Sequence, residues 1–358
     1  MSVINSPRDA GRYIAENSKD VKINDVGVKK VAEIMAECVK SGTYSIKSWK
    51  KHELNPSIMD EAALNWIFVA DTLNFSFWSA DEEQKYVVKY KGKEHTGYWS
   101  LCAAMNRALD EKIPLTDPKY FASITKDQLA HVLRSDSSTE IPMFEERLEV
   151  LREAGTVMME KYGGKFVNVI KKCENSAQSL LKIVTDDFPS YRDVTEFCGK
   201  TVAIYKRVQI LIADIWACFE GQGFGEFRDI DTITMFADYR IPQALLFFGV
   251  LEYSPELMEY LKKDSMMKSG DRYEVEIRGC SIWATELVNE ETRRNLGAQL
   301  RGGDEPDGNN RSVGQNHTGS GDLLVNSILI DHYLWDYRRE RADEMTDIPF
   351  HKIRCIYY

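Results

Sequence analysis

Val28-Lys-Lys-Val-Ala-Glu-Ile-Met-Ala-Glu-Cys38 carries apolar residues at 28, 31, 34, 35 and 38, the spacing of a stripe down one face of a helix. The same rhythm returns at Phe144, Leu148, Leu151 and Met158 and recurs over most of the chain, which predicts a mainly α fold. Two segments read as extended. Tyr86-Val-Val-Lys-Tyr90, then Lys91-Gly-Lys-Glu94 before His95-Thr-Gly-Tyr-Trp99, has the turn chemistry of a β hairpin, and Tyr273-Glu-Val-Glu-Ile-Arg278 alternates polar and apolar as a strand does. The expected architecture is helical with a small hairpin or sheet patch.

The 358 residues are 43% hydrophobic and 28% charged, ordinary values for a globular protein, and neither a repeat nor a linker divides them. One domain over residues 1–358 is the expectation. The stretch from Arg301 to Asp322 is rich in Gly, Asn, Asp and Ser, so 302–321 reads as a flexible polar loop insertion. Its Asp304, Glu305 and Asp307 lack the ligand ladder of a calcium loop.

A net charge of −10 works against a grip on duplex nucleic acid, which needs clustered Lys and Arg to displace counterions from phosphates. The seven cysteines (38, 102, 173, 198, 218, 280 and 355) form no CxxC pair and no zinc spacing, so they read as reduced thiols, and no metal or cofactor is implied. The N-terminal residues lack a signal-peptide apolar run, and the longest apolar stretch, 244–251, is too short to span a bilayer. A cytoplasmic protein without membrane contact is expected. Walker, GxGxxG, GxSxG and HExxH motifs are all missing, which weakens kinase, dehydrogenase, esterase and metalloprotease readings.

Chemistry concentrates in Thr234-Met-Phe-Ala-Asp-Tyr-Arg-Ile-Pro-Gln243, where Asp238 stands between two aromatics, Phe236 and Tyr239, just before a helix-starting Pro242. Backbone amides there favour an ionised carboxylate, and Phe236 and Tyr239 offer flat faces to a planar ring. The same spacing also suits a simple capping acid. Asp71-Thr-Leu-Asn-Phe-Ser-Phe-Trp78 combines aromatic and polar groups, as a pocket wall or a structural turn would. Ile330-Asp-His-Tyr-Leu-Trp-Asp336 sets Asp331 and Asp336 five residues apart. On a regular helix that is about 140° of divergence, so for both acids to reach one ligand, one should lie at the helix start. His332 among these aromatics fits a packed histidine or a titrating one. Tyr205-Lys-Arg-Val-Gln-Ile-Leu-Ile-Ala-Asp214 places Lys206 and Gln209 on one face of an apolar helix, where the lysine either snorkels to solvent or meets an anion. Several carboxylates, aromatics and one buried cation suit a planar, polar and cationic ligand.

These blocks, with Gly97-Tyr-Trp-Ser-Leu101, Phe188-Pro-Ser-Tyr-Arg192, Glu276-Ile-Arg-Gly279 and Leu334-Trp-Asp336, resemble in order and over nearly the whole chain the queuosine salvage protein family. The resemblance implies a queuosine 5'-phosphate N-glycosylase that releases queuine for tRNA modification, on a helical fold likened to helix-hairpin-helix DNA glycosylases. It carries the catalytic acid onto Asp238, the base-contacting aromatic onto Phe236, an N-terminal histidine onto His52 in Lys51-His-Glu-Leu-Asn-Pro56, and the paired acids onto Asp331 and Asp336. His332 departs from the tyrosine expected after the first acid. Lys206 would meet the 5'-phosphate, a role open equally to Arg192, Arg240 or Arg278. A non-catalytic queuine carrier and an enzyme acting on bases in DNA are the competing functions, the second opposed by the acidic charge.

Overall fold

The computed structural model describes residues 2–79, 81, 84–301 and 325–358. It begins with β1 (Val3–Ile4) and α1 (Pro7–Asn17), where the Ser6 hydroxyl accepts from the Asp9 amide and Pro7 occupies a first-turn position that needs no amide partner. β2 (Val21–Ile23) precedes α2 (Asp25–Lys40), which is the stripe at 28–38: Val28, Val31 and Met35 are buried along one face. After α3 (Glu61–Thr72), capped by Asp60, the chain forms the hairpin of β3 (Val87–Tyr90) and β4 (Lys93–Thr96) with Val88 opposite His95. Helices α4 (Tyr98–Asp110), α5 (Pro118–Phe121), α6 (Lys126–Val132), α7 (Phe144–Tyr162), α8 (Phe166–Lys172) and α9 (Ala177–Asp187) follow. Next come β5 (Val194–Phe197), β6 (Lys200–Ala203), α10 (Lys206–Cys218), α11 (Ile241–Phe247), β7 (Leu251–Tyr253), α12 (Pro255–Lys262), α13 (Arg272–Arg301) and α14 (Ser327–Glu340).

The strands are ties between distant helices. β1 runs parallel to β6, β6 pairs antiparallel with β5, and β2 pairs antiparallel with β7. Mainly helical with small sheets, the fold agrees with the sequence pattern in class and differs at three places. The hairpin's second strand is Lys93–Thr96 rather than 95–99: Gly97, at φ +63°, breaks it, and Tyr98 and Trp99 open α4. The apolar run 244–251 is helical only to Phe247, turns at Gly249 with φ +70°, and ends in β7.

The third difference is Tyr273–Arg278, expected as a strand and found in the first turns of α13. Its polar residues are buried as well as its apolar ones. Arg278 is ion-paired to Glu274 one turn back and to Asp193, while Glu276 receives Arg272 and the amides of Lys19 and Asp20. The alternation therefore records charges held inside, and carries no strand period. The polar insertion 302–321 lies outside the described residues, and no described helix is long and apolar enough to cross a membrane.

Among the described residues two large apolar cores form, beside two small clusters around Ile14 and around Trp78 and Tyr239. One gathers α3, α4 and α7 to α10 around residues such as Phe68, Leu151 and Leu211, and the other gathers α2, α11, α13 and α14 around Val31, Leu245 and Ile277. Two segments straddle them. Phe236 belongs to the first core while its neighbours Met235 and Ala237 belong to the second, and in α14 Ile328 and Leu329 face the first while Ile330 and Leu334 face the second.

Candidate active site

Along this seam lies a cavity of about 1550 Å³, walled by the loop 74–79, the start of α4, one face of α10, residues 236–240 and α14. Each wall is fixed by buried polar groups. Arg147 and Arg207, both almost fully buried, have no carboxylate partner among the described residues; they donate instead to carbonyls, Arg147 to Leu73, Phe75 and Ser76, and Arg207 to Thr72 and Ser190. Those bonds satisfy the carbonyls that α3 leaves open at its C-terminus and hold the following loop against the cavity.

The Thr234–Asp238 segment is held from both sides. Gln209 accepts from the Thr234 amide and hydroxyl at 2.9 Å each and donates to Ile204 O, so it is a structural clamp. Asp331 Oδ2 accepts from the Phe236 amide at 2.9 Å, and Arg278 Nε donates to Ala237 O at 2.9 Å. Arg278, with Asp193 at 2.6 Å, is thereby engaged on both sides and supports the residue before Asp238 rather than lining the cavity.

Asp238 Oδ1 accepts from the amides of Arg240 and Ile241, each at 2.8 Å. These bonds are the capping geometry read in the sequence, and Asp238 borders the cavity. Burial raises the Asp238 pKa; Lys206 and the two amides pull the other way. Lys206, the first residue of α10, is buried, with Nζ 3.3 Å from Asn74 O. Burial lowers its pKa, and Asp238, then Asp71 and Asp331, counter that.

Around that single ammonium the acids are crowded. Burial, then the charge of Asp238, holds Asp331 well above the usual carboxylate range; burial, then Asp71, does the same to Asp214. Asp71 sits behind the cavity wall with Oδ1 taken by Asn74 and Oδ2 unpartnered, and burial pushes it up to about 7. Burial thus favours the neutral form of each of these acids, and Lys206 opposes it. Asp336 accepts from Tyr44 OH at 2.7 Å, and burial raises its pKa too.

Aromatic faces complete the walls. Phe236 and His332 lie with ring centres 5.8 Å apart, and Tyr239 OH accepts from the Phe77 amide at 3.3 Å. His52 stacks on Trp99 with ring centres 3.3 Å apart and nearly parallel planes. Burial pushes both His52 and His332 down to about 4, so both rings are neutral at physiological pH. His332 Nε2 stands 3.9 Å from Asp214 Oδ1, which accepts from Trp49 Nε1 at 3.0 Å.

Asp238, Phe236, Tyr239, Lys206, His52, Asp331, His332 and Asp336 all border this one cavity. Asp331 and Asp336 both lie inside α14, neither at its first residue; the cavity wraps the helix, so the divergence of the two acids does not separate them from one space. Arg240 also borders it, whereas Arg192 is spent on the carbonyls of Thr185 and Asp186. Asp214 was missed as a site residue, although a carboxylate inside Ile210-Leu-Ile-Ala-Asp-Ile-Trp216 is the signal that marks it. Among the described residues no three His, Cys, Asp or Glu side chains converge to hold a metal ion.

The family profile described as queuosine salvage protein matches residues 54–358. A Bos taurus protein named queuosine 5'-phosphate N-glycosylase/hydrolase is 51% identical over 99% of this chain and 98% of its own length. Proteins of the same name from Schizosaccharomyces pombe and Sphaerobacter thermophilus are 39% and 35% identical, each across 97% of this chain and 97% and 96% of theirs.

Proposed function

Because the chain belongs to the queuosine salvage protein family, we propose that its acid-lined cavity hydrolyses the N-glycosidic bond of queuosine 5'-phosphate and releases queuine for reuse in tRNA. The observation that carries this reading is Asp238: two amides fix one carboxylate oxygen at 2.8 Å, and the residue lines the cavity. Cleavage breaks the bond between ribose C1' and the base nitrogen. Positive charge builds on the sugar, water oxygen bonds to C1', and the leaving nitrogen gains a proton. A fixed carboxylate stabilises that charge, or takes the proton of the attacking water, without reorganising.

Phe236 stacks on the deazapurine, with Tyr239 and the neutral His52 and His332 completing the aromatic enclosure. Asp331 and Asp336 meet the donor edge of the base and the secondary ammonium of its side chain. In this scheme Lys206 is the cation beside Asp238. The whole chain acts as one unit, since both cores build the same cavity. The substrate is the free nucleotide and not a duplex, in keeping with the net charge of −10, and the place of action is the cytosol, where seven unpaired cysteines remain reduced. The test is chromatography of queuosine 5'-phosphate incubated with the protein. Free queuine with ribose 5-phosphate is the expected result; binding without release would assign the cavity to a carrier.

A further inference from the structure

We propose that residues 350–358 form a clasp that fixes two walls of the cavity against each other, and that Tyr358 is a positioning residue for Asp238, acting through Glu274 and Arg278. The proposal rests on the hydrolase reading above.

The first wall is the loop 74–79. Ser76 has φ +49°, a left-handed conformation that serine keeps only where its surroundings impose it. The clasp supplies those surroundings: the Ser76 amide donates to Tyr358 O at 3.0 Å, and its hydroxyl donates to Cys355 O at 3.1 Å. Two residues on, Trp78 Nε1 donates to Ile353 O at 2.8 Å. Arg354 Nη2 donates back to Trp78 O at 2.6 Å, with its guanidinium 3.6 Å from the centre of the Trp78 ring.

The second wall is the turn that carries Asp238. Phe350 packs on Tyr239 with ring centres 5.6 Å apart, and Tyr358 reaches the same turn through a chain of charges. Its hydroxyl donates to Glu274 Oε1 at 2.9 Å, and its ring lies 4.0 Å from the Arg278 guanidinium; all three side chains are buried. Glu274 Oε2 is occupied by the Gly270 amide at 2.6 Å, so Oε1 is shared between the phenol and Arg278 Nη1, the latter at 3.3 Å. Arg278 in turn donates through Nε to Ala237 O at 2.9 Å and through Nη1 and Nη2 to Asp193, whose Oδ2 also accepts the Lys206 amide at 3.1 Å. The phenol thus satisfies the part of Glu274 that would otherwise draw the guanidinium along α13, and keeps Arg278 aimed at the residue before Asp238. A rate set by the placement of one carboxylate is sensitive to such a support.

The test measures kcat and KM for queuosine 5'-phosphate in Tyr358→Phe, Arg278→Lys and the double variant. Beside them it reads the exchange of the Arg240 and Ile241 amides, which Asp238 Oδ1 accepts, relative to the amides of α7. Tyr358→Phe keeps the ring and loses only the hydroxyl, so the protein is expected to fold. Its kcat should fall about tenfold with KM within about threefold of wild type, and the two amides should exchange about tenfold faster. In the double variant kcat should match Arg278→Lys alone within about threefold, because the phenol acts through that guanidinium. An unchanged kcat in Tyr358→Phe, a raised KM with kcat kept, or losses that multiply in the double variant would overturn the assignment. Should Arg278→Lys not fold, Tyr358→Phe and its amide exchange decide alone. Wild type without turnover would refute the hydrolase reading; faster exchange of the two amides in Tyr358→Phe would then still support the clasp, and unchanged exchange would overturn it.

Discussion

Replacing Asp238 by Asn separates the two jobs of its carboxylate. Oδ1 accepts the Arg240 and Ile241 amides at 2.8 Å, and an asparagine oxygen can accept both, so the turn into α11 should persist. The amide nitrogen then occupies the place of Oδ2 and presents donors where the sugar develops positive charge. A carboxylate about 4 Å from a unit positive charge, at an effective dielectric near 20, contributes about 4 kcal/mol. At about 1.4 kcal/mol per decade that is roughly a thousandfold in rate. Because burial raises the Asp238 pKa, removing the charge should not lower the melting temperature. Single-turnover release of queuine, followed by chromatography beside a thermal melt and a queuine-binding titration, measures all three quantities. A folded Asp238→Asn variant that keeps its rate within about tenfold of wild type would refute the argument that this charge stabilises the transition state.

Phe236→Leu keeps apolar volume but removes the flat face; a rise in KM of roughly fivefold, about 1 kcal/mol of lost stacking, is expected with kcat less affected, and an unchanged KM would place the base elsewhere. For Asp71, the folded pKa of about 7 lies above the unfolded carboxylate value near 4, so the native state binds more protons between them and stability falls as pH rises through that window. Asp71→Asn removes the titration, so denaturant melts at pH 5 and pH 8 should show the variant gaining on wild type at the higher pH, by up to about 1.4 kcal/mol per unit crossed; an equal difference at both pH values would contradict it. A Cβ on Gly27 would sit 2.1 Å from Gly249 O, a backbone atom that cannot swing aside, so Gly27→Ala should destabilise by about 1–3 kcal/mol or more, and a melting temperature equal to wild type would mean that α2 shifts freely.

Much of the candidate site was legible because its residues break local rules. Asp238 before Pro242, and Lys206 at the head of an apolar helix, stand out against their surroundings, and both reach the cavity. Periodicity failed where a helix is buried on every side. In α13 the residues Glu274, Glu276 and Arg278 are as enclosed as Val275 and Ile277, so burial no longer sorts polar from apolar and the alternation mimics a strand. Long-range pairing was equally hidden: nothing near Arg278 in the chain announces that its partners are Asp193 and Ala237 O. Setting Arg192 and Arg278 aside needed those partners, because only folding decides which cations are already engaged. Asp71 and Asp214 are acids in apolar runs, a signal present in the sequence whose meaning comes from their shared neighbour, Lys206.

The seam between the two cores bears on how this protein would fail. Asp238 and Asp331 sit on segments whose neighbouring residues are anchored in different cores, so their spacing is a measurement made jointly by both. Partial melting of either one would misalign the acids while leaving the other's amides protected from hydrogen exchange. Inactivation on heating should therefore run ahead of the loss of helical signal, and a nascent chain would acquire activity in a single late step, after both halves have condensed.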